Sequence, residues 1–112
     1  PAHVLALGAL DRLIEQDLVR LGMVEPFFVS LSSIMRDYIE RRFRVRAPEL
    51  TTEEFLNEAG RSPSLAAHSP RLREFLNLAD QVKFATLRPG REEADGAVAA
   101  VRGFVRETAD GD

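Results

Sequence analysis

Apolar residues recur at three- and four-residue spacing along most of the chain, which is the pattern of amphipathic helices. The first stripe runs from His3 to Leu21, and Gly22 supplies its stop. The second begins with Pro26 in the first turn of a helix and extends to about Phe43. These stripes predict two long helices, of which the second is the longer and the richer in aromatic residues.

A helix-capping signal introduces the third helix. The Thr51 hydroxyl can accept from the amide of Glu54, and the Glu54 carboxylate can reach back to the amide of Thr51, which is a capping box. We therefore expect a short helix over Thr52 to Ala59 that stops at Gly60. The run SPS at 62–64 predicts a turn after it.

Two further helices follow this turn. Ser69 and Pro70 read as an N-cap followed by proline at the first helical position, and this fourth helix fades before 89–90. Its apolar face contains Leu72, Phe75, Leu76 and Ala79. The fifth helix is predicted from about Arg91 to Glu107. Its inward stripe consists of Ala94, Ala97, Val98, Val101, Phe104 and Val105.

Glycines and the lack of strand patterning complete the fold prediction. Gly96 and Gly103 fall on the opposite face of the last helix, where each costs about 1 kcal/mol relative to alanine without disturbing packing. No run alternates with strand period, and no repeat or low-complexity segment is present. The sequence predicts an all-α fold, a single compact bundle of about five helices that occupies 1–112 and is ordered over about 3–108.

Composition narrows the functional class only partly. The 45% hydrophobic and 29% charged residues are typical of a globular protein and not of a membrane span. A net charge of -3 gives no electrostatic reason to expect nucleic acid or an anionic membrane as partner. Without cysteine the chain has neither disulfides nor thiolate sites. It begins at Pro1 with no signal-like segment, so we expect it to be a piece of a longer protein.

The most basic stretch, RDYIERRFRVR, lies in the second helix and could be a nucleic-acid surface. Its charges also match one another at four-residue spacing, which favours a solvated and self-paired face. The predicted pairs are Arg36 with Glu40, Asp37 with Arg41, and Glu40 with Arg44. The basic end formed by Arg42, Arg44 and Arg46 remains available for an acidic protein partner.

Residue types that carry chemistry do not cluster in the sequence. His3 and His68 are far apart, and neither has a ligand at helical metal-binding spacing, so we expect both at the surface and no metal. No glycine-rich phosphate loop follows a strand, and no serine has a defensible relation to a histidine. The sequence therefore predicts no cofactor and no catalytic residues.

Lys83 is the only lysine among fifteen basic residues and follows Asp80 in the segment LADQVKFA. On a helical projection it lies about 20° from Leu72, in the middle of the apolar face. A catalytic lysine needs a pocket and partners that the sequence does not supply. A lysine at this position must keep its ammonium either in water or matched by a carboxylate, and we expect a structural polar contact in which it meets Asp80, Glu54 or a carboxylate of a partner protein.

The order of these segments resembles the cytoplasmic helical region of BatD-like bacterial membrane proteins. The resemblance rests on FFVSLSSIMRDYIERRFRVRAPELTTEEFL (Phe27 to Leu56), on LREFLNLADQVKFA (Leu72 to Ala85), and on RPGREEA and VRGFVRET. It covers almost the whole chain, from His3 to Thr108. Phe28 stands where the family often has tyrosine, and Gly90 stands at an N-cap often held by serine.

The resemblance implies a domain on the cytoplasmic face of a bacterial inner membrane, joined at its N-terminus to a transmembrane helix. Such proteins are encoded beside MoxR-type AAA+ ATPases and von Willebrand factor A-type proteins, in clusters associated with aerotolerance or stress. The family brings no catalytic residues to transfer. The leading hypothesis is a non-enzymatic protein-interaction domain that works with these two partners. A helical nucleic-acid-binding module is the alternative, and an enzyme built on Lys83, Asp80 and Glu54 comes third.

Overall fold

The structure, a computed structural model, describes residues 1–45 and 50–109. Within these ranges the regular elements are six α-helices, and no strand occurs. The helices are α1 (Ala2–Gln16), α2 (Val24–Phe43), α3 (Thr52–Arg61), α4 (Pro63–Ala66), α5 (Ser69–Lys83) and α6 (Arg91–Thr108). The predicted all-α class is confirmed, and five of the helices correspond to the predicted five.

Helix α2 lies at the centre of the bundle. It packs against α1, α5 and α6, while α3 packs against α4 and α5. The side chains between these helices form one hydrophobic cluster, with Phe28, Leu31 and Ile39 of α2 fully buried within it. A radius of gyration of 13.3 Å agrees with the roughly 13 Å expected for a compact chain of this length. The apolar stripes therefore close on a shared core.

Helix α1 ends earlier than its apolar stripe predicts. Asp17 adopts a left-handed conformation with φ 51°, which ends α1 at Gln16. The chain continues through a turn in which the amide of Met23 donates to the carbonyl of Leu18 at 2.8 Å. Gly22 has φ 78°, a conformation that favours glycine. The predicted extension to Leu21 is wrong, because a stripe of spaced apolar residues can continue across a turn that stays packed on the core.

The predicted capping box of the third helix is confirmed. The amide of Glu54 donates to Thr51 Oγ1 at 3.2 Å, and the amide of Thr51 donates to Glu54 Oε1 at 2.9 Å. Helix α3 passes through Gly60 and ends at Arg61, two residues beyond the predicted end. The stretch predicted as a turn instead contains the four-residue helix α4, because proline is well suited to the first position of a helix.

The start of α5 also differs from its prediction. His68 is the N-cap and Ser69 the first helical residue, so the predicted Ser69 cap is wrong by one position. Ser69 Oγ is buried without a hydrogen-bond partner among the described residues. At the other end, Ala85 has φ 61°, and the amide of Thr86 donates to the carbonyl of Gln81 at 2.9 Å. This Schellman-type turn stops α5 at Lys83.

The boundaries of α6 agree with their prediction to within one residue. The Glu93 carboxylate accepts the amide of Gly90 at 2.8 Å, which caps the helix start from within its first turn. The predicted inward residues Ala94, Ala97, Val101, Phe104 and Val105 are buried. A Cβ added at Gly96 or Gly103 would meet no atom within 4 Å, as the outward placement of these glycines predicts.

Candidate functional site

Helices α2, α3 and α5 enclose an open cleft of about 480 Å³, which we call the Phe84 cleft. Its walls include Val29 and Arg36 of α2, Thr52 of α3, Asp80 of α5, and Phe84 beyond the end of α5. The cleft combines two exposed apolar side chains with several charged ones. It contains two of the three residues that the sequence predicts for a polar contact.

A chain of hydrogen bonds crosses the floor of the Phe84 cleft. The Arg36 guanidinium donates from Nη2 to Thr52 Oγ1 at 3.1 Å and from Nη1 to the carbonyl of Leu50. The Thr52 hydroxyl in turn donates to Asp80 Oδ2 at 2.7 Å. One charged residue of α2 is thereby joined through α3 to one carboxylate of α5. The network holds three helices together at the base of the cleft.

Arg36 is set deeper than an ordinary surface arginine. Its guanidinium carbon lies 5.3 Å from the centroid of the Phe55 ring, in the geometry of a cation–π contact. Burial lowers the pKa of Arg36, and the nearby charge of Asp80 acts in the opposite direction. Arginine remains protonated at physiological pH even so. The floor of the cleft therefore has a fixed positive charge matched by Asp80.

Lys83 does not belong to this network. Its side chain is exposed, and its Nζ lies 5.8 Å from the centroid of the Phe84 ring. In the described part of the chain it forms no ion pair with Asp80 or Glu54; Asp80 accepts from Thr52, and Glu54 caps α3. The helical projection placed Lys83 in the middle of the apolar face, but the side chain is not buried. The reason is that α5 ends at Lys83 and its apolar face opens there onto the cleft. A contact with a carboxylate of a partner protein stays a prediction.

Arg42 and Arg44, two residues of the predicted basic surface, lie in different environments. Arg42 is half-buried; its Nε donates to the carbonyl of Thr108 at 2.7 Å, and its guanidinium lies 4.8 Å from the Phe43 ring centroid. Arg44 is exposed and ends α2 in a left-handed conformation. Arg46 lies outside the described residues. Because its hydrogen bond to Thr108 joins α2 to α6, Arg42 has a structural role.

The three helical ion pairs predicted for the same stretch are not formed among the residues that the structure describes. Arg36 reaches Leu50 and Thr52 in place of Glu40. For Arg36 the contacts with Leu50 and Thr52 replace the helical pair, because an exposed helical pair contributes only a few tenths of a kcal/mol.

A second polar cluster, which the sequence did not reveal, lies in the core between α2 and α6. The hydroxyl oxygens of Tyr38 and Thr108 are 2.7 Å apart, and the Thr108 hydroxyl also donates to the carbonyl of Phe104 at 2.8 Å. The Tyr38 ring stands edge-on to Phe104 at 6.0 Å. Extending the stripe of α6 by one turn beyond Phe104 would have included Thr108, which is 7% exposed.

The histidines and the acidic residues give no metal centre in the described ranges. His68 is half-buried, and its ring packs edge-on against Phe104 at 5.3 Å, so the surface position predicted for it is only partly correct. Within the described residues, no three histidine, cysteine, aspartate or glutamate side chains lie close enough together to hold a metal ion. None of the described helices has both the length and the apolar character to cross a bilayer.

Comparisons of this chain with protein-family models, with curated proteins and with solved structures gave no match. The resemblance to BatD-like proteins therefore rests on the sequence segments alone. The geometry of the clefts and grooves provides the structural grounds on which a function can be proposed.

Proposed function

We propose that the chain is a non-enzymatic protein-interaction domain of a BatD-like protein and that it binds a partner through the Phe84 cleft. The segments 27–56 and 72–85, two of the four on which the family resemblance rests, supply the walls of this cleft. The cleft is thus formed by residues that belong to the resembling part of the sequence.

The exposed ring of Phe84 is the observation that carries the proposal. Phe84 is 69% exposed, the largest value among the exposed large apolar side chains of the described residues, and Val29 across the cleft is 43% exposed. Fully burying a phenylalanine side chain is worth about 1.5–3 kcal/mol. Aromatic residues and arginine are also enriched at the centres of protein interfaces. A partner that covered Phe84 and Val29 would gain binding energy from both.

The polar groups around Phe84 favour recognition over chemistry. Arg36, Thr52 and Asp80 satisfy one another and present a fixed arrangement to the solvent. Lys83 adds an exposed ammonium beside the ring. The matching partner surface is an apolar side chain that fills the space over Phe84, with a carboxylate placed to meet Lys83. Lysine at the rim favours orientation and fast association more than affinity.

The partners proposed on the resemblance are a MoxR-type AAA+ ATPase and von Willebrand factor A-type proteins. The proposed location is the cytoplasmic face of a bacterial inner membrane, with anchoring through a transmembrane helix at the N-terminal side. In this arrangement the domain connects a membrane-anchored protein to an ATPase chaperone system.

A binding experiment tests the proposal. The chain is immobilised and exposed to the purified MoxR-type ATPase and the von Willebrand A-type protein from the same genome, and retention is measured for the wild type and for Phe84→Ala. We expect the wild type to retain at least one of them and Phe84→Ala to weaken retention about tenfold or more. Leu21→Ala, which truncates an apolar side chain that is 57% exposed and lies outside the cleft, is the control. Retention of neither protein, or equal retention by Phe84→Ala, contradicts the proposal.

A further inference from the structure

A second concave surface lies between α5 and α6, where both helices lean on α2. This α5–α6 groove has a volume of about 520 Å³ and is partly open to solvent. Its apolar walls include Leu72, Phe75 and Leu78 of α5 and Phe104 of α6, with Met35 of α2 beneath them. The groove exists because α5 and α6 pack more extensively on α2 than on each other.

The α6 side of the groove is lined mainly by small residues. Gly96, Ala100 and Gly103 line it and lie within roughly 60° of one another around the helix axis. A Cβ added to either glycine would meet no atom within 4 Å, so neither glycine is required by packing within the described chain. Each costs about 1 kcal/mol of helix stability relative to alanine. Small residues in such a stripe allow another helix to approach closely.

The lining of the groove has an excess of negative charge. Its charged lining residues are Glu74, Glu93 and Glu107 with Arg71, which makes three carboxylates against one guanidinium. Arg71 pairs with Glu107 at 2.9 Å, and the Glu93 carboxylate caps the start of α6. Glu74 forms no ion pair within the described residues. An occupant with positive charge at its edges would complement this rim.

We propose that the α5–α6 groove binds one amphipathic helix of a partner protein, with an apolar face toward α6 and basic residues at its edges. The inference rests on the proposed function as a protein-interaction domain and names the chemistry of a second contact. From Glu93 to Glu107 the groove is about 21 Å long, enough for roughly four helical turns. A second copy of the chain fits less well, because a two-fold contact through this groove would bring two acidic rims together.

The probe for the test is a labelled helical peptide of about 18 residues, with leucine and alanine on one face and lysine and arginine at the edges. Its binding to the chain is followed by fluorescence anisotropy, next to a peptide in which the basic residues are replaced by glutamate. We expect the basic peptide to bind about tenfold or more tightly than the acidic one, with an advantage that shrinks as salt is added. Equal binding of the two peptides overturns the proposed charge complementarity.

A blocking variant locates the binding. Gly103→Leu fills the groove with a side chain, and we expect it to weaken binding of the basic peptide about tenfold or more. Gly60→Leu is the matched control, since Gly60 is exposed on α3 and a Cβ added there also meets nothing within 4 Å. Unchanged binding by Gly103→Leu, or an equal loss in both variants, overturns the assignment to the groove.

Two further measurements separate the remaining outcomes. In two-dimensional NMR spectra of the chain, we expect the basic peptide to shift the amide signals of Gly96 and Gly103 and to leave those of Gly22 and Gly60 in place. Self-association that Gly103→Leu abolishes would overturn the proposal by making a second copy the occupant. If the peptide fails to bind while Phe84→Ala still weakens retention of the ATPase, the groove proposal fails and the proposed function stands.

Discussion

Arg36 and Tyr38 are separated by one residue on α2, yet their polar groups enter two different environments. The Tyr38 hydroxyl lies in the core, where Thr108 and the carbonyl of Val105 close around it, and Tyr38 is 1% exposed. The Arg36 guanidinium is only partly buried and faces the open Phe84 cleft through Thr52 and Asp80. One side of α2 is therefore locked to α6, while the other presents a fixed but accessible polar surface. The binding proposed for Phe84 is expected on the accessible side.

Truncating one phenylalanine in each region should give the largest contrast. Phe104 is 1% exposed, so Phe104→Ala is expected to lower the free energy of unfolding by about 3–5 kcal/mol through cavity formation. Phe84→Ala removes an exposed ring, and we expect a change within about 0.5 kcal/mol. Urea denaturation of both variants measures this difference. A large loss in Phe84→Ala would show that Phe84 is part of the core and would weaken its assignment to a binding surface.

The network of the cleft is tested next. Asp80→Ala removes the acceptor of the Thr52 hydroxyl and a negative charge near the half-buried Arg36, and we expect a loss of about 1–3 kcal/mol in unfolding free energy. Lys83→Met, three residues further along the same helix, is expected to change it by no more than about 0.5 kcal/mol because Lys83 is exposed. Thermal and urea unfolding of both variants provide the comparison. A greater loss in Lys83→Met than in Asp80→Ala would restore the predicted structural contact of Lys83.

On the locked side, the hydroxyl pair can be removed without changing the shape of the core. Tyr38→Phe and Thr108→Val are each expected to cost about 1 kcal/mol, since each leaves a buried polar group with fewer partners. The double variant should lose less than the sum of the two, because the same hydrogen bond is removed in both. Additive losses in urea denaturation would mean that the two hydroxyls do not stabilise each other.

The smallest expected effect concerns the turn that holds Phe84. Ala85 has φ 61°, a conformation that favours glycine, so Ala85→Gly should raise unfolding free energy by about 0.5 kcal/mol. Gly22→Ala is the control in the opposite direction. Gly22 has φ 78° with no atom near its Cβ position, so we expect this variant to lower the unfolding free energy by about 1 kcal/mol through backbone strain alone. Equal responses of the two variants in thermal unfolding would argue that neither turn is strained. A rise for Ala85→Gly would show that the rim of the cleft is held at some energetic cost.

Local rules predicted the elements well and the site less well. The capping box at Thr51 and the inward stripe of α6 depend on residues three or four positions apart, and both are confirmed. Two predictions at helix ends were wrong: the extension of α1 to Leu21 and the N-cap at Ser69. A left-handed residue or a shift of one position has little effect on the apolar pattern, so the pattern does not locate helix ends. Asp80 and Lys83 both line the Phe84 cleft, but the sequence did not predict that Asp80 accepts from Thr52 while Lys83 stays exposed.

The spacing of apolar residues and the capping residues are enough to predict an all-α chain, because both act within one or two helical turns. Packing between distant helices selects which polar groups meet. Arg36 reaches Leu50 across 14 positions, and Tyr38 meets Thr108 across 70. It also decided that Lys83 is exposed and that grooves remain open beside α2. Such outcomes depend on how the ends of distant helices lie against one another, and helical periodicity contains no information about that.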